Sequence, residues 1–177
     1  MFSNMHISYI GGLKDHPRYL TLSIYFSGCD ADPKCLKCHN PELHNPNNGI
    51  QMTPDELASV VIKQLERFRF PVVAFVGGEP LAPYNREGVK LVSKLIHEHF
   101  PGIKTILYTW RMPEDLIKEN LLDYIKYIYE FVLGRYDYTK HVNGFPSSTN
   151  QLYMDKRRVD EYVNCVSKGK RRKNSDG

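Results

Sequence analysis

The stretch Pro71-Val72-Val73-Ala74-Phe75-Val76-Gly77-Gly78-Glu79-Pro80 sets the fold class. A short apolar run that stops at paired glycines is the kind of strand that is buried on both faces of a parallel sheet. Reading outward from it, strand and helix signals alternate. Downstream, Glu87 to His99 reads as a helix with Val89, Val92, Leu95 and Ile96 on one face, followed by a strand over Lys104 to Thr109. A helix from Pro113 to about Tyr124 and a strand from Tyr127 to Leu133 complete this half. Upstream, Thr53-Pro54-Asp55-Glu56 supplies an N-cap, a proline at the first helical position and a capping-box glutamate, predicting a helix to about Phe68. Before it, Tyr19 to Ser27 is β-branched and aromatic, reads as a strand, and runs directly into Gly28 and Cys29. Right-handed crossovers between such units place the strands in one mainly parallel sheet with the helices outside.

The remaining segments are less regular. Pro41 to Asn48 and His141 to Asn150 are turn-rich, Gln151 to Met154 fits a last short strand, and Asp155 to Cys165 a terminal helix. No internal repeat or interior linker divides the chain, so residues 1–166 are expected to form a single domain, followed by a basic, disordered tail over 167–177.

Charge supports that division. Of the 24 lysines and arginines, five fall in the last ten residues, leaving 19 basic and 19 acidic side chains in the first 167. A neutral body argues against a nucleic-acid surface, and the tail reads as a solvated end. The longest nearly unbroken apolar stretch, Phe70 to Gly78, falls well short of the roughly 20 residues of a membrane helix, and no signal-peptide pattern opens the chain. A cytoplasmic protein with neither membrane nor nucleic-acid partners is the expectation.

Three of the four cysteines, Cys29, Cys35 and Cys38, lie within ten residues as C-x5-C-x2-C on a loop leaving a strand, while Cys165 stands alone downstream. Paired structural disulfides fit this distribution poorly, and a metal site in a reducing compartment fits it well. Two centres suit the spacing equally. Three thiolates hold three irons of a 4Fe-4S cluster and leave the fourth iron open; alternatively, the same thiolates with His39 or His44 make a Cys3His zinc module. His6, His16, His97, His99 and His141 show no ligand spacing, and Cys165 reads as a helix residue without chemistry.

Cys35-Leu36-Lys37-Cys38-His39-Asn40-Pro41-Glu42 resembles the Cys-x-x-Cys-His-Asn-Pro-Glu run of radical S-adenosylmethionine enzymes that activate glycyl radical enzymes. Gly77-Gly78-Glu79-Pro80 is similar to the motif that, in this superfamily, contacts the methionine amino group of S-adenosylmethionine. Leu107-Tyr108-Thr109 and Ser147-Ser148-Thr149-Asn150-Gln151 resemble segments of the small activating proteins of anaerobic ribonucleotide reductase. The family's usual spacing is C-x3-C-x2-C, so this loop carries two extra residues within Asp30 to Lys34. Lys37, Trp110 and Ser147 also depart from the usual residues.

The resemblance implies a 4Fe-4S cluster on Cys29, Cys35 and Cys38. S-adenosyl-L-methionine would lie near His39, Asn40, Gly77, Gly78, Glu79, Pro80 and Thr109, with Glu79 accepting a hydrogen bond from its ammonium. The implied partner is a glycyl radical enzyme, the large subunit of an anaerobic ribonucleotide reductase, with flavodoxin or ferredoxin as electron donor. A small-molecule or peptide substrate is the alternative within the superfamily, and no side chain is assigned as a catalytic acid, base or nucleophile. An eight-unit barrel takes about 200 residues or more, so a chain of 177 residues is expected to form a partial, open TIM-like βα barrel with outer helices.

Overall fold

The computed structural model describes residues 4–175. Its centre is the strand decided by the opening stretch. Strands β1 (Met5–Leu13), β2 (Thr21–Phe26), β3 (Ile50–Met52), β4 (Val72–Gly77), β5 (Lys104–Thr109), β6 (Glu130–Leu133) and β7 (Leu152–Asp155) form one sheet, in the order β3-β1-β2-β4-β5-β6-β7. Within it β2, β4, β5 and β6 run parallel, with Phe26 opposite Gly77 and Thr109 opposite Leu133, so that their carboxyl ends share one edge. Helices α1 (Pro54–Arg67), α2 (Arg86–His99) and α3 (Pro113–Lys118) lie in the connections between these parallel strands, and α4 (Lys156–Ser175) follows β7.

The α1 start follows the local chemistry. Thr53 Oγ1 accepts from the Glu56 amide at 3.2 Å, and Glu56 Oε2 accepts from the Thr53 amide at 2.8 Å. Leu57, Val61 and Leu65 from α1, Val89, Val92 and Ile96 from α2, Leu116 from α3 and Val159 from α4 all join one apolar cluster. The strands contribute the alternate positions Leu22, Ile24, Phe26, Val73, Phe75, Leu107 and Phe131 to the same cluster, as the two-residue period of a pleated strand requires. The other face carries Val72, Ala74, Val76, Ile106 and Val132, covered by Tyr25, Tyr108, Phe145 and Tyr153. Every helix therefore packs on one side, and the second side is left to aromatic side chains and loops.

The sheet is mostly parallel and open, as expected, with β3 and β7 as its two ends, but it does not form a barrel. Its antiparallel pairings are β1 with β2 and with β3, and β7 with β6. Other expectations are corrected. The β1 strand has no counterpart in the sequence reading because only Met5 and Ile7 are buried along it, which leaves no alternating apolar signal. The helix expected to reach Tyr124 ends at Lys118, where Asn120 adopts φ 56° and the Leu121 amide closes back on the Leu116 carbonyl at 2.9 Å. Asparagine tolerates this left-handed geometry and ends helices with it. Leu121, Ile125 and Ile128 are buried nonetheless, from irregular turns. The terminal helix runs past Cys165 to Ser175, into the segment read as a basic tail, whose residues 176 and 177 lie outside those described.

Among the described residues no helix is long and apolar enough to cross a membrane. The layered core gives a direct check. Phe75 is fully buried at the centre of β4, and Phe75→Ala is expected to cost about 3–5 kcal/mol in urea unfolding. Thr53→Ala, which removes only the cap of α1, is expected to cost about 1 kcal/mol in the same measurement.

Candidate functional site

The carboxyl ends of the parallel strands border a cavity of about 370 Å³. Each wall begins where a strand stops. Beyond β2, residues 27–40 leave the sheet and bring Cys29, Cys35 and Cys38 to the cavity; all three thiols are free and partly buried. The start of this loop is held by the short 3-10 turn Pro41–His44, whose Leu43 and His44 carbonyls accept from the Gly28 and Cys29 amides at 2.8 and 3.2 Å. From β4 come Val76, Gly77 and Gly78, from β5 Tyr108, Thr109 and Trp110, and from beyond β6 Gly134 and Tyr136.

The two glycines are dictated by the protein's own backbone. Gly77 has φ +109°, and a Cβ there would meet the Phe26 amide nitrogen at 2.6 Å. A Cβ on Gly78 would run into the carbonyl oxygens of Gly28 and Leu43. These are the same groups that lock the join, since the Gly78 and Glu79 amides donate to the Phe26 and Gly28 carbonyls at 2.8 Å. The paired glycines thus let the end of β4 lie directly against the root of the cysteine loop.

Glu79 follows, and it turns away from the cavity. It is fully buried and accepts from the Leu81 amide at 2.8 Å, the Thr109 hydroxyl at 2.8 and 3.0 Å and the Trp110 amide at 3.1 Å. The Arg111 guanidinium lies 3.4 Å away. Arg111 is only 2% exposed and also binds Asp30 at 2.6 and 3.2 Å and Glu119 at 2.8 Å. Burial pushes the Glu79 carboxyl up to about 7, opposed by Arg111 and by the three donors. Burial alone would also raise Asp30, but hydrogen bonds from Arg111 and Trp110 bring it below its ordinary value. Burial drives the Cys29 thiol up to about 11 and raises that of Cys38 as well.

Of the residues singled out from the sequence, Cys29, Cys35, Cys38, His39, Asn40, Gly77, Gly78 and Thr109 are brought to the cavity wall, whereas Glu79 and Pro80 are not. His39 is exposed and its ring lies 4.2 Å from that of Tyr136. Trp110 lines the cavity as well as packing, with its Nε1 donating to Asp30 at 2.9 Å. Asn150 and Gln151 both hold a loop, donating to the Arg135 and Gly134 carbonyls at 2.9 and 3.1 Å, and Gln151 also reaches the cavity. Cys165 is exposed on α4, apart from the cavity. The sequence reading missed Asp30, Arg111 and Arg135, because an ion pair across 81 positions leaves no local pattern. It also missed Asp15, which accepts from the hydroxyls of Ser23 and Tyr25 at 2.6 and 3.0 Å beneath the far side of the cavity.

Three thiols on one wall fit a cluster in which each binds its own iron. They do not converge on a point: among the described residues no three His, Cys, Asp or Glu side chains stand together as ligands of a single ion. Backbone at Gly77 and Gly78, which carries no side chain, lines the same cavity as the thiols, a space of the size that takes a small organic cofactor.

Comparison with known proteins accords with this arrangement. A family model described as a 4Fe-4S single cluster domain matches residues 18–154, which include the cysteine loop and the four parallel strands. The anaerobic ribonucleoside-triphosphate reductase-activating protein of Enterobacteria phage T4 is 31% identical over 117 residues, covering 64% of this chain and 69% of the phage protein. No solved structure matches the chain significantly. With three free cysteines in the matched segment and an extended match to a reductase-activating protein, the chain belongs to the 4Fe-4S single cluster domain family.

Proposed function

We propose that the chain is a radical S-adenosylmethionine activase that generates a glycyl radical on an anaerobic ribonucleoside-triphosphate reductase. One observation carries this reading: the three thiols and the Gly77-Gly78 backbone open into the same cavity, at the carboxyl ends of parallel strands. The match to a reductase-activating protein supports the choice of partner. When bound, a 4Fe-4S cluster would supply the one electron that cleaves S-adenosylmethionine into methionine and a 5'-deoxyadenosyl radical, which would take a hydrogen atom from the partner's glycine and leave as 5'-deoxyadenosine.

The chain's own residues bind, orient and shield. Cys29, Cys35 and Cys38 would hold the cluster from the loop after β2. Gly77 and Gly78 offer bare backbone to S-adenosylmethionine, and Thr109 stands beside it with its hydroxyl committed to Glu79. Glu79 holds the ends of β4 and β5 in register through Thr109, Trp110 and Arg111. His39 and Tyr136 form an aromatic rim on the cysteine side. The open sheet leaves room for a protein segment to approach, which favours a macromolecular partner over a small substrate. Flavodoxin or ferredoxin is the donor class that fits the low potential of such a cluster, and free cysteines fit the reducing cytoplasm.

Anaerobic reconstitution with iron and sulfide tests the reading. The expected product has a visible charge-transfer band and a reduced-state paramagnetic signal that changes on adding S-adenosylmethionine. It releases 5'-deoxyadenosine and raises a glycyl radical doublet on the reductase. Stoichiometric zinc without iron would overturn it. Single Cys29→Ala, Cys35→Ala and Cys38→Ala variants should lose the cluster, and Cys165→Ala should keep it.

Glu79 makes a separate prediction. Its folded value of about 7 lies above its ordinary 4.5, so the folded chain binds more protons than the unfolded chain between these limits. Its contribution to stability is complete below about pH 4.5 and is lost as the pH rises through about 7. In urea unfolding, the stability of the wild type relative to Glu79→Gln should therefore fall across that window, by at most about 3 kcal/mol.

A further inference from the structure

The cysteine loop is longer than the usual pattern of the family it resembles, and the extra residues are gripped from one side. Asp30, directly after Cys29, receives Trp110 Nε1 at 2.9 Å and two Arg111 nitrogens at 2.6 and 3.2 Å. Further along, Arg135 donates to the Asp32 carbonyl at 3.0 Å and to the Pro33 carbonyl. Lys34 reaches back to the Cys29 carbonyl. The guanidinium carbons of Arg111 and Arg135 lie 4.6 and 4.9 Å from the centre of the Trp110 ring. Trp110, Arg111 and Arg135 all sit just beyond the carboxyl ends of β5 and β6, so a rigid edge of the sheet holds a segment that has no regular structure of its own.

We propose that Arg111, Trp110 and Arg135 form a positioning clamp on residues 29–34 that presents Cys29 and Cys35 to the cavity; this rests on the cysteine loop being the cluster site. Ordering an irregular loop costs backbone entropy at every residue, and charge-assisted, two-pronged bonds are the strong contacts that offset it. Neutralising Glu79 does not by itself explain the arrangement. Arg111 makes shorter bonds to Asp30 than to Glu79, and Arg135 does not reach Glu79 but binds loop carbonyls. Trp110 suits the junction because an indole offers a face to guanidinium groups and an N–H to a carboxylate.

Arg111→Ala would strand the buried Glu79, so the test uses Asp30→Asn and Arg135→Ala. In metal-free protein, trypsin is directed at the exposed Lys34 and Lys37 within the loop, and fluorescence is read from Trp110, the single tryptophan. Each variant should be cut about tenfold faster there. Trp110 emission should shift to the red in Asp30→Asn, while the urea midpoint stays close to that of the wild type. After reconstitution the variants should hold less iron per chain, and the bound fraction should show an altered charge-transfer band and reduced-state signal. Wild-type cleavage and emission in both variants would overturn the clamp. A loosened loop that still takes up full iron with unchanged spectra would overturn its positioning role. A loosened loop in the variants, with no iron taken up by the wild type, would support the clamp and sink the cluster reading instead.

Discussion

Arg111 carries a full positive charge at a point almost sealed from water, which is tolerable only where anionic groups surround it. Asp30, Glu79 and Glu119 do so, and they come from three places: the cysteine loop, the turn after β4 and the turn after α3. One cation therefore fixes the mutual positions of segments that share no secondary structure. Three carboxylates around one guanidinium also leave an excess of negative charge. The hydroxyl of Thr109, the indole of Trp110 and the amides of Leu81 and Trp110 take up that excess as donors. Glu79, the member with no access to water, is the hardest to ionise, whereas the partly exposed Asp30 stays readily charged.

This network needs an edge to stand on, and the layering provides it. All four helices pack against one face of the sheet, so the parallel strands end together without a helix crossing over their tips. Backbone crowding then decides what can occupy the tips. Gly77 and Gly78 have no room for a side chain against Phe26, Gly28 and Leu43, and that closeness brings the root of the cysteine loop to the cavity.

The elements legible in the sequence are those whose signals are local. The capping box at Thr53, the apolar run before Gly77 and the strand Lys104–Thr109 each express a short-range preference that the tertiary structure keeps. Two kinds of feature escaped. Where burial is sparse, as along β1, or where apolar spacing belongs to turns, as after Lys118, periodicity either vanishes or misleads. The site divides in the same way. Cysteines and glycines were visible as motifs, and most of them line the cavity. The inward direction of Glu79 and its partnership with Arg111 and Asp30 were not visible, because direction and long-range charge pairing are set by how strands stack and not by neighbours in the chain.

The loop lies early in the chain and its surroundings lie late. Cys29, Cys35 and Cys38 precede Gly77, Thr109, Arg111, Arg135 and Gln151, each of which borders the cavity or grips the loop. Chains are made and begin to fold from the amino end, and parallel pairings require long intervening segments before they form. The thiols consequently leave the ribosome before the walls that enclose them exist. The nascent chain therefore passes through a stage in which these three thiols are more open to solvent than they are in the finished fold.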